Sequence, residues 1–240
     1  VVLVFNGEIY NFRELRKRLE AKGQTFSGHS DTEVLLKLYL DQRKSDSGVT
    51  EMLQQLNGIF AFALWDYDAD ALLIARDALG VKPLYYSSTE DGLAFSSEIK
   101  ALLPLLPAEV GVTEGLFSGL DPAAIDRYLT FLWCPGQGTP ASSIKKLGPG
   151  QAMWIRDGVI VEDFIWYCLP MFRVSPTSGK KLNYSKRETK SNAISGVEKH
   201  LRQAVHRQMI SDVPVGAFLS GGLDSSAVVA FAREINPDMH

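Results

Sequence analysis

The segment Ser220–Ser226, SGGLDSS, brings two glycines, one carboxylate and three hydroxyls together. It lies between the apolar runs VPVGAFL and AVVAFARE, so the sequence predicts a turn from a strand into a helix. Gly221 and Gly222 let backbone N–H groups approach an anion, and a helix N-terminus carries about half a positive charge. A phosphate fits this turn, with Asp224 as a carboxylate ligand for Mg²⁺. The hydroxyls that could donate to phosphate oxygens belong to Ser220, Ser225 and Ser226. Without a ligand, these residues would form only a glycine turn and a serine N-cap.

A second candidate site is the stretch FNGEIYN, which follows the apolar run VVLV. An Asn-Gly pair next to a strand is typical of a two-residue hairpin turn, yet the sequence shows no obvious partner strand after it. A turn here would aim the Asn6 side-chain NH₂ and the Gly7 backbone N–H at one point, as an oxyanion hole requires. A purely structural turn is the alternative.

The elements that must position Asn6 and Gly7 are predicted to be helices and antiparallel strands. Asn11 is a candidate N-cap for a short helix, and Ser30 and Glu33 form a capping box that places Asp31 in a first helical turn. From Leu56 onward, short apolar runs separated by turns predict antiparallel strands, then a helix around AAIDRYLTFL and a hairpin over QAMWIRDGVIVEDFIWY.

A polar, basic stretch divides the chain. We assign residues 1–172 to a first α+β domain, residues 173–191 to an exposed linker, and residues 192–240 to the beginning of an α/β domain with a parallel sheet. In this last part Ser195 and Glu198 form a further capping box, and a strand, the glycine turn and a helix follow it.

Composition excludes several classes of protein. The 240 residues are 45% hydrophobic, with a net charge of -3, which is ordinary globular composition without the basic excess of a nucleic-acid-binding protein. No apolar run reaches the roughly 20 residues that span a bilayer, so we expect a cytoplasmic protein without a membrane partner. The two cysteines lack metal-ligand spacing, and we expect them to be reduced and buried.

Taken in order, the motifs VFNGEIYNF, HSDTEVLL, LNGIFAFALWD, ARDALGVKPLYY and FSSEIKALL resemble those of class II glutamine amidotransferase domains, which are N-terminal-nucleophile hydrolases. SGGLDSS resembles the pyrophosphate loop of ATP pyrophosphatases. The two together resemble the asparagine synthase family over almost the whole chain.

The resemblance implies roles for individual residues. Asn6 and Gly7 would form the oxyanion hole, while Glu8 and Asp31 would help to hold glutamine. The loop would bind ATP, with Asp224 on Mg²⁺; its ATP-binding residues would be Leu219, Ser220, Gly221, Gly222, Asp224, Ser225 and Ser226. We interpret four further residues in these motifs as structural support for the sheet or its interface: Arg76, Asp77, Ser97 and Glu98.

The implied reaction is the glutamine-dependent synthesis of asparagine from aspartate, through β-aspartyl-AMP, in a homo-oligomeric enzyme. The family's nucleophilic N-terminal cysteine and its carboxylate-binding arginine have no counterpart in residues 1–240, so we expect the chain to be a truncated internal fragment, inactive in both half-reactions. One alternative is an amidotransferase acting on another carboxylate, suggested by the unusually long tract from Pro107 to Asp121. Others are an enzyme similar to β-lactam synthetases, against which the intact NGE and SDTE motifs argue, and a non-enzymatic remnant.

Overall fold

The computed structural model describes residues 1–43, 48–89, 92–106, 119–169 and 186–239. The strands are β1 (Val2–Ile9), β2 (Gly58–Asp66), β3 (Ala71–Arg76), β4 (Tyr85–Thr89), β5 (Gly92–Ser96), β6 (Lys145–Lys146), β7 (Gln151–Arg156) and β8 (Val159–Ile165). The helices are α1 (Phe12–Ala21), α2 (Asp31–Gln42), α3 (Gly48–Gln55), α4 (Ile99–Leu102), α5 (Pro122–Phe131), α6 (Lys186–Gln208) and α7 (Leu223–Arg233), and a 3₁₀ turn covers Leu103–Leu105. The chain divides after Leu169 into two compact units.

The first unit is built from two antiparallel sheets. The larger has the strand order β1-β2-β3-β7-β8, and the smaller has the order β5-β4-β6. One face of the larger sheet packs against α1, α2 and α3, and the other packs against the smaller sheet. This arrangement confirms the predicted α+β class with antiparallel sheets.

Side-chain alternation along β2 explains these layers. Phe60, Phe62 and Leu64 enter the core shared with the helices, whereas Ala61 and Ala63 face the smaller sheet. Successive side chains of a strand point to opposite faces, so a strand covered on both sides becomes almost continuously apolar. This accounts for the sequence GIFAFALWD.

Helix starts follow the sequence where the signal is local. Ser30 Oγ accepts a hydrogen bond from the Glu33 N–H at 3.2 Å, as the predicted cap requires. The Glu33 carboxylate instead accepts from the N–H groups of Ser27 and Gly28, which lower its pKa. Asn11 precedes α1, but its side chain bonds the backbone of Gln55 and Asn57 and does not cap the helix.

The predicted turn at Asn6 and Gly7 is wrong. β1 continues through both residues as far as Ile9 and pairs along its whole length with β2. The partner strand lies about fifty residues downstream, and its pairing overrides the local turn preference of an Asn-Gly pair.

The second unit contains α6 and α7, whose contacts include Arg202 with Glu234 and Arg202 stacked 4.6 Å from the Phe231 ring centroid. α6 begins at Lys186, inside the predicted linker, so Ser195 lies within the helix and caps nothing. Residues 213–219 form no strand, contrary to prediction. A strand needs a neighbour for its backbone hydrogen bonds, and the described part of this unit supplies none.

Other predictions have mixed outcomes. Cys134 is partly buried, but Cys168 is exposed, which corrects the expectation that both are buried. Residues 107–118 of the long Pro- and Gly-containing tract, and residues 173–185 of the proposed linker, lie outside the described residues. No helix in the described ranges is long and apolar enough to cross a bilayer.

Candidate functional site

Strand pairing decides where the backbone of Gly7 points. The Tyr10 N–H donates to the Asn57 carbonyl at 2.8 Å, so even-numbered residues of β1 bond to β2. Gly7 lies opposite Phe60, whose N–H and carbonyl are both bonded to Asp77 on the far side of β2. In an antiparallel ladder such pairs alternate, so the Gly7 N–H and carbonyl point away from β2. Since β1 is an edge strand, they face the open edge of the sheet.

Only glycine fits at position 7. A Cβ added there would lie 2.1 Å from the Ile59 carbonyl oxygen and 2.6 Å from the Phe60 Cα, both backbone atoms of β2. The φ angle is +154°, which side-chain-bearing residues rarely adopt. The backbones of β1 and β2 are therefore very close at this position. The Gly7 N–H faces the open edge, and its own residue has no side chain to cover it.

Asn6 lies on the sheet face that packs towards the smaller sheet. Its Nδ2 donates to Ser97 Oγ at 3.2 Å, which leaves the second N–H of the side-chain amide available. Beside it is a cavity of about 260 Å³ with a mostly apolar wall and three polar side chains, those of Asn6, Ser96 and Ser97. Ser97 thus contacts the candidate site directly, in addition to the supporting role predicted for it.

Asp31 reaches the same strand edge from α2. Its Oδ2 accepts a hydrogen bond from the Ile9 N–H at 2.8 Å, and Ile9 is the next outward-facing residue after Gly7. Two residues along a strand span about 7 Å, so the Asp31 carboxylate lies within one small ligand's length of the Gly7 N–H. Burial, followed by the Glu8 and Asp77 carboxylates, raises the pKa of Tyr10, which follows Ile9.

Arg76 and Asp77 organise the turn behind the site. The Asp77 carboxylate is 1% exposed and accepts from four backbone N–H groups, those of Phe60, Leu79, Val81 and Lys82. Arg76 donates to three backbone carbonyls, those of Gly80, Lys82 and Leu147, each at 2.6 Å. These contacts support the structural interpretation of both residues. The Glu98 side chain is exposed and pairs with Lys100 at 2.7 Å, and the Glu98 N–H donates to Ser96 Oγ at the end of β5.

The Ser220 loop is held by short-range contacts. Ser220 Oγ and Ser225 Oγ are 2.9 Å apart, and Ser225 Oγ donates to the Gly222 carbonyl at 3.1 Å. Gly221 has a φ of +79°, and Gly222, not a serine, is the N-cap of α7. Leu219, Asp224 and Ser226 are exposed. The loop therefore presents the N–H groups of the first turn of α7, together with hydroxyls and one carboxylate, to solvent.

The chain matches the sequence patterns of two known families. The sequence pattern of the glutamine amidotransferase domain matches residues 1–166, well over half of the chain. The chain belongs to the glutamine amidotransferase domain family. A second pattern, that of asparagine synthase, matches residues 196–240. Membership of this family, together with the antiparallel sheets, fits an N-terminal-nucleophile hydrolase fold for the first unit.

The names of the curated relatives combine glutamine hydrolysis with asparagine synthesis. The chain is 39% identical over 238 residues to asparagine synthetase [glutamine-hydrolyzing] 1 of Bacillus subtilis, covering 99% of this chain and 33% of that protein. It is 40% identical over 235 residues to asparagine synthetase [glutamine-hydrolyzing] 3 of the same organism, covering 96% and 33%. Asparagine synthetase B of Escherichia coli is 33% identical over 236 residues, covering 97% and 32%. The chain therefore spans about a third of the length of these relatives.

In this amidotransferase domain, the sequence indicated which residues to examine but not how they are held. The structure brings Asn6, Gly7 and Asp31 to one strand edge, while Glu8 is an exposed residue of the same strand and the Ser220 loop belongs to the other unit. The Asn6–Ser97 contact joins residues 91 positions apart, and no local pattern reveals it. The only sequence signal for it is that both residues lie in family-like motifs.

Proposed function

We propose that the first unit carries the oxyanion-stabilising and glutamine-binding part of a glutamine-hydrolysing site. One observation carries the proposal: the Gly7 N–H points off an open strand edge, with the Asn6 amide beside it and the Asp31 carboxylate one outward-facing position further along. Donors fixed where negative charge develops stabilise a tetrahedral intermediate. The rigid pairing of β1 with β2 provides such fixed positions.

Each side chain has a distinct role in this proposal. The Asn6 side-chain N–H and the Gly7 backbone N–H donate to the oxygen of the glutamine side-chain amide as it becomes an oxyanion. The second oxygen of the Asp31 carboxylate, which accepts from the Thr32 hydroxyl at 3.3 Å, also accepts from the α-ammonium group, and Glu8 contacts the same substrate. The attacking thiolate would come from the N-terminal cysteine that the family resemblance implies, and the products would be glutamate and ammonia.

The second unit, we propose, binds the triphosphate of ATP at the Ser220 loop. Backbone N–H groups at a helix N-terminus, a glycine with positive φ and serine hydroxyls suit a phosphate group. The loop would hold the nucleotide while a carboxylate substrate is adenylated. In the described residues no group of three or more His, Cys, Asp or Glu is arranged to hold a metal.

The single carboxylate of Asp224 is enough to hold a Mg²⁺ ion that arrives with the nucleotide. Mg²⁺ is commonly held by one or two carboxylates together with substrate phosphates and water, and Asp224 is exposed in the first turn of α7 beside the loop. The ion would neutralise phosphate charge there.

Together these sites support glutamine-dependent asparagine synthesis by the protein that carries this chain. Ammonia from the first unit would amidate aspartate that has been activated as β-aspartyl-AMP, giving asparagine, AMP and pyrophosphate. Glutamine, aspartate and ATP are the proposed small-molecule partners. A cytoplasmic location and a homo-oligomeric state are further predictions from the resemblance.

The test is to express the complete gene product that carries residues 1–240 and to assay glutaminase activity and AMP formation separately. Asn6→Ala should lower glutaminase activity about 10²- to 10³-fold and leave ammonia-dependent AMP formation intact. Asp224→Ala should do the reverse, so each variant is the control for the other.

The outcomes separate the alternatives. Asparagine formation together with this crossed pattern supports the full proposal. AMP formation only with a carboxylate other than aspartate would contradict the proposed acceptor and favour the other-carboxylate amidotransferase. If neither glutamine nor ATP is consumed, the chain is a non-enzymatic remnant.

A further inference from the structure

A second cavity in the first unit has no part in the proposed reaction. It measures about 570 Å³ and lies between the turn that follows β3, the start of β4, β6 and the segment that follows α5. It shares no lining residue with the cavity beside Asn6. Its volume falls within the range typical of small-molecule sites.

Flat and apolar side chains form much of its wall. Tyr85, Tyr128 and Trp133 supply three aromatic rings, and Leu79, Ile99 and Leu132 supply aliphatic surface. Leu132 is 81% exposed and Trp133 is 60% exposed. Leu132 adopts the left-handed conformation that ends α5, and residues that follow it in the chain line the cavity. A planar apolar ligand would therefore bury apolar surface against this wall.

The lining is positively charged. It contains Arg76 and Lys146 and no carboxylate. All three nitrogens of Arg76 are used by backbone carbonyls, so this residue contributes charge but little hydrogen bonding. The Lys146 ammonium donates to the Cys134 carbonyl and lies 5.9 Å from the Trp133 ring centroid. An ammonium has three N–H donors, so two more can serve a ligand.

Neighbouring charges reinforce this positive potential. Burial lowers the pKa of Lys146; the Cys134 thiol partly opposes this shift, and Arg76 and Arg127 add to it. Arg127 lies against Gly138 in the cavity wall and pairs with the Asp121 carboxylate at 3.7 Å, while its buried Nε has no hydrogen-bond partner among the described residues. A cation that is disfavoured in this way is stabilised when an anion binds beside it.

We propose that this cavity binds a small aromatic carboxylate, whose two oxygens accept from the Lys146 ammonium while its ring packs on Trp133 and Tyr128. The available donors favour this class over phosphates. The two free N–H groups of a single lysine match the two oxygens of a carboxylate, whereas a phosphate presents three oxygens and is usually held by arginine forks or backbone N–H groups. The apolar wall requires the ring.

The test titrates the complete gene product that carries residues 1–240 with 2-naphthoate and, as a neutral probe of the same shape, 2-naphthamide. Calorimetry gives the affinities, and the NMR signal of the Trp133 indole N–H locates the binding. We expect 2-naphthoate to bind at least about tenfold more tightly than 2-naphthamide, because a hydrogen bond to a charged group contributes more than a neutral one.

Two lysine variants make the test specific. Lys146→Met removes the charge but keeps an unbranched side chain, and should reduce 2-naphthoate affinity to that of the amide. The neighbouring Lys145 is exposed and does not line the cavity, so Lys145→Met should leave both affinities unchanged. Trp133→Leu, at an exposed position, should weaken both probes.

Three results would overturn the proposal. These are equal affinity for the two probes, 2-naphthoate binding that survives Lys146→Met, and absence of binding by both probes up to their solubility. A circular dichroism spectrum unchanged from that of the native chain shows that each variant is folded.

Discussion

The Asn6–Gly7 edge and the Ser220 loop, the two candidate sites, have very different structural support. At the first, Gly7 sits against the backbone of β2, Asn6 donates to Ser97 and Asp31 accepts from Ile9, so residues distant in sequence fix both donors and the carboxylate. At the second, hydrogen bonds within the loop join Ser220, Gly222, Ser225 and Ser226, which are close neighbours in sequence.

The difference is one of tertiary support. A short motif can form its local turn without help, because its hydrogen bonds lie within a few residues. The apolar stretch ahead of the loop cannot become a strand alone, and Phe218 there is fully exposed. Substitutions should therefore cost much more stability at the Asn6–Gly7 edge than at the Ser220 loop.

The largest effect is expected from Gly7→Ala. The added Cβ would meet backbone atoms of β2 at 2.1 and 2.6 Å, so the strands must separate. We expect a loss of about 4 kcal/mol or more in the free energy of unfolding. Urea unfolding followed by tryptophan fluorescence measures it, because all four tryptophans lie in the first unit, and circular dichroism at 222 nm, which includes α6 and α7, follows the second unit. Gly222→Ala is the matched control: its Cβ would meet nothing nearer than 3.6 Å, and the cost should stay below about 1 kcal/mol. Equal losses would contradict the comparison.

Asp77→Asn tests the buried carboxylate behind Gly7. An amide has only one acceptor oxygen, so the N–H groups that now bond the other carboxylate oxygen, two for each oxygen, lose their partner. Leaving buried donors unsatisfied should cost about 3 kcal/mol. Asp224→Asn, at an exposed carboxylate in α7, should change stability by less than about 0.5 kcal/mol. A small loss at Asp77 would show that the turn after β3 does not depend on its charge.

The same contrast explains what the sequence could predict. Ser30 was correctly identified as a cap because capping acts over three residues. The predicted path of β1 is wrong because its partner strand is distant in the chain, and the predicted start of α6 is wrong because polar residues can continue a helix. The candidate site residues were recognisable from their motifs, while the outward direction of the Gly7 N–H depends on the register of β1 against β2.

Arg43→Met compares a partly buried ion pair with an exposed one. Asp66 is 2% exposed and accepts from Arg43 at 2.8 Å and from the Tyr39 hydroxyl at 2.7 Å. Burial alone would raise the pKa of Asp66, but the hydrogen bonds from Arg43 and Tyr39 lower it. Without the cation we expect a loss of about 2 kcal/mol at pH 7, less than for a fully buried pair because Arg43 is partly exposed. Arg202→Met in the second unit should cost much less, because both ion pairs of Arg202 are open to solvent.

The pH dependence follows from the direction of that shift. A carboxyl whose folded pKa lies below its unfolded value of about 3.9 contributes its full stability above that value and loses it as the pH falls through the folded pKa. Arg43→Met raises the folded pKa of Asp66, so acid unfolding, followed by tryptophan fluorescence, should begin at a higher pH. An unchanged acid transition would show that Arg43 does not hold Asp66 ionised.

The smallest effect on stability is expected from Ser225→Ala, and it separates the stability of the loop from its function. The change removes the bonds from Ser225 Oγ to Ser220 Oγ and to the Gly222 carbonyl, both at the protein surface. Because water replaces these bonds, the free energy of unfolding, measured by circular dichroism at 222 nm, should stay within about 0.5 kcal/mol of the native value. Ser195→Ala, at an exposed position within α6, is the matched control.

In the complete gene product, Ser225→Ala should weaken Mg·ATP binding about tenfold, by the loss of one hydrogen bond to a charged phosphate. Ser195→Ala should leave nucleotide affinity unchanged. A large loss of stability with Ser225→Ala would mean that these hydrogen bonds hold the loop as a structural turn. If the serine instead serves a ligand, its loss should matter only when phosphate binds.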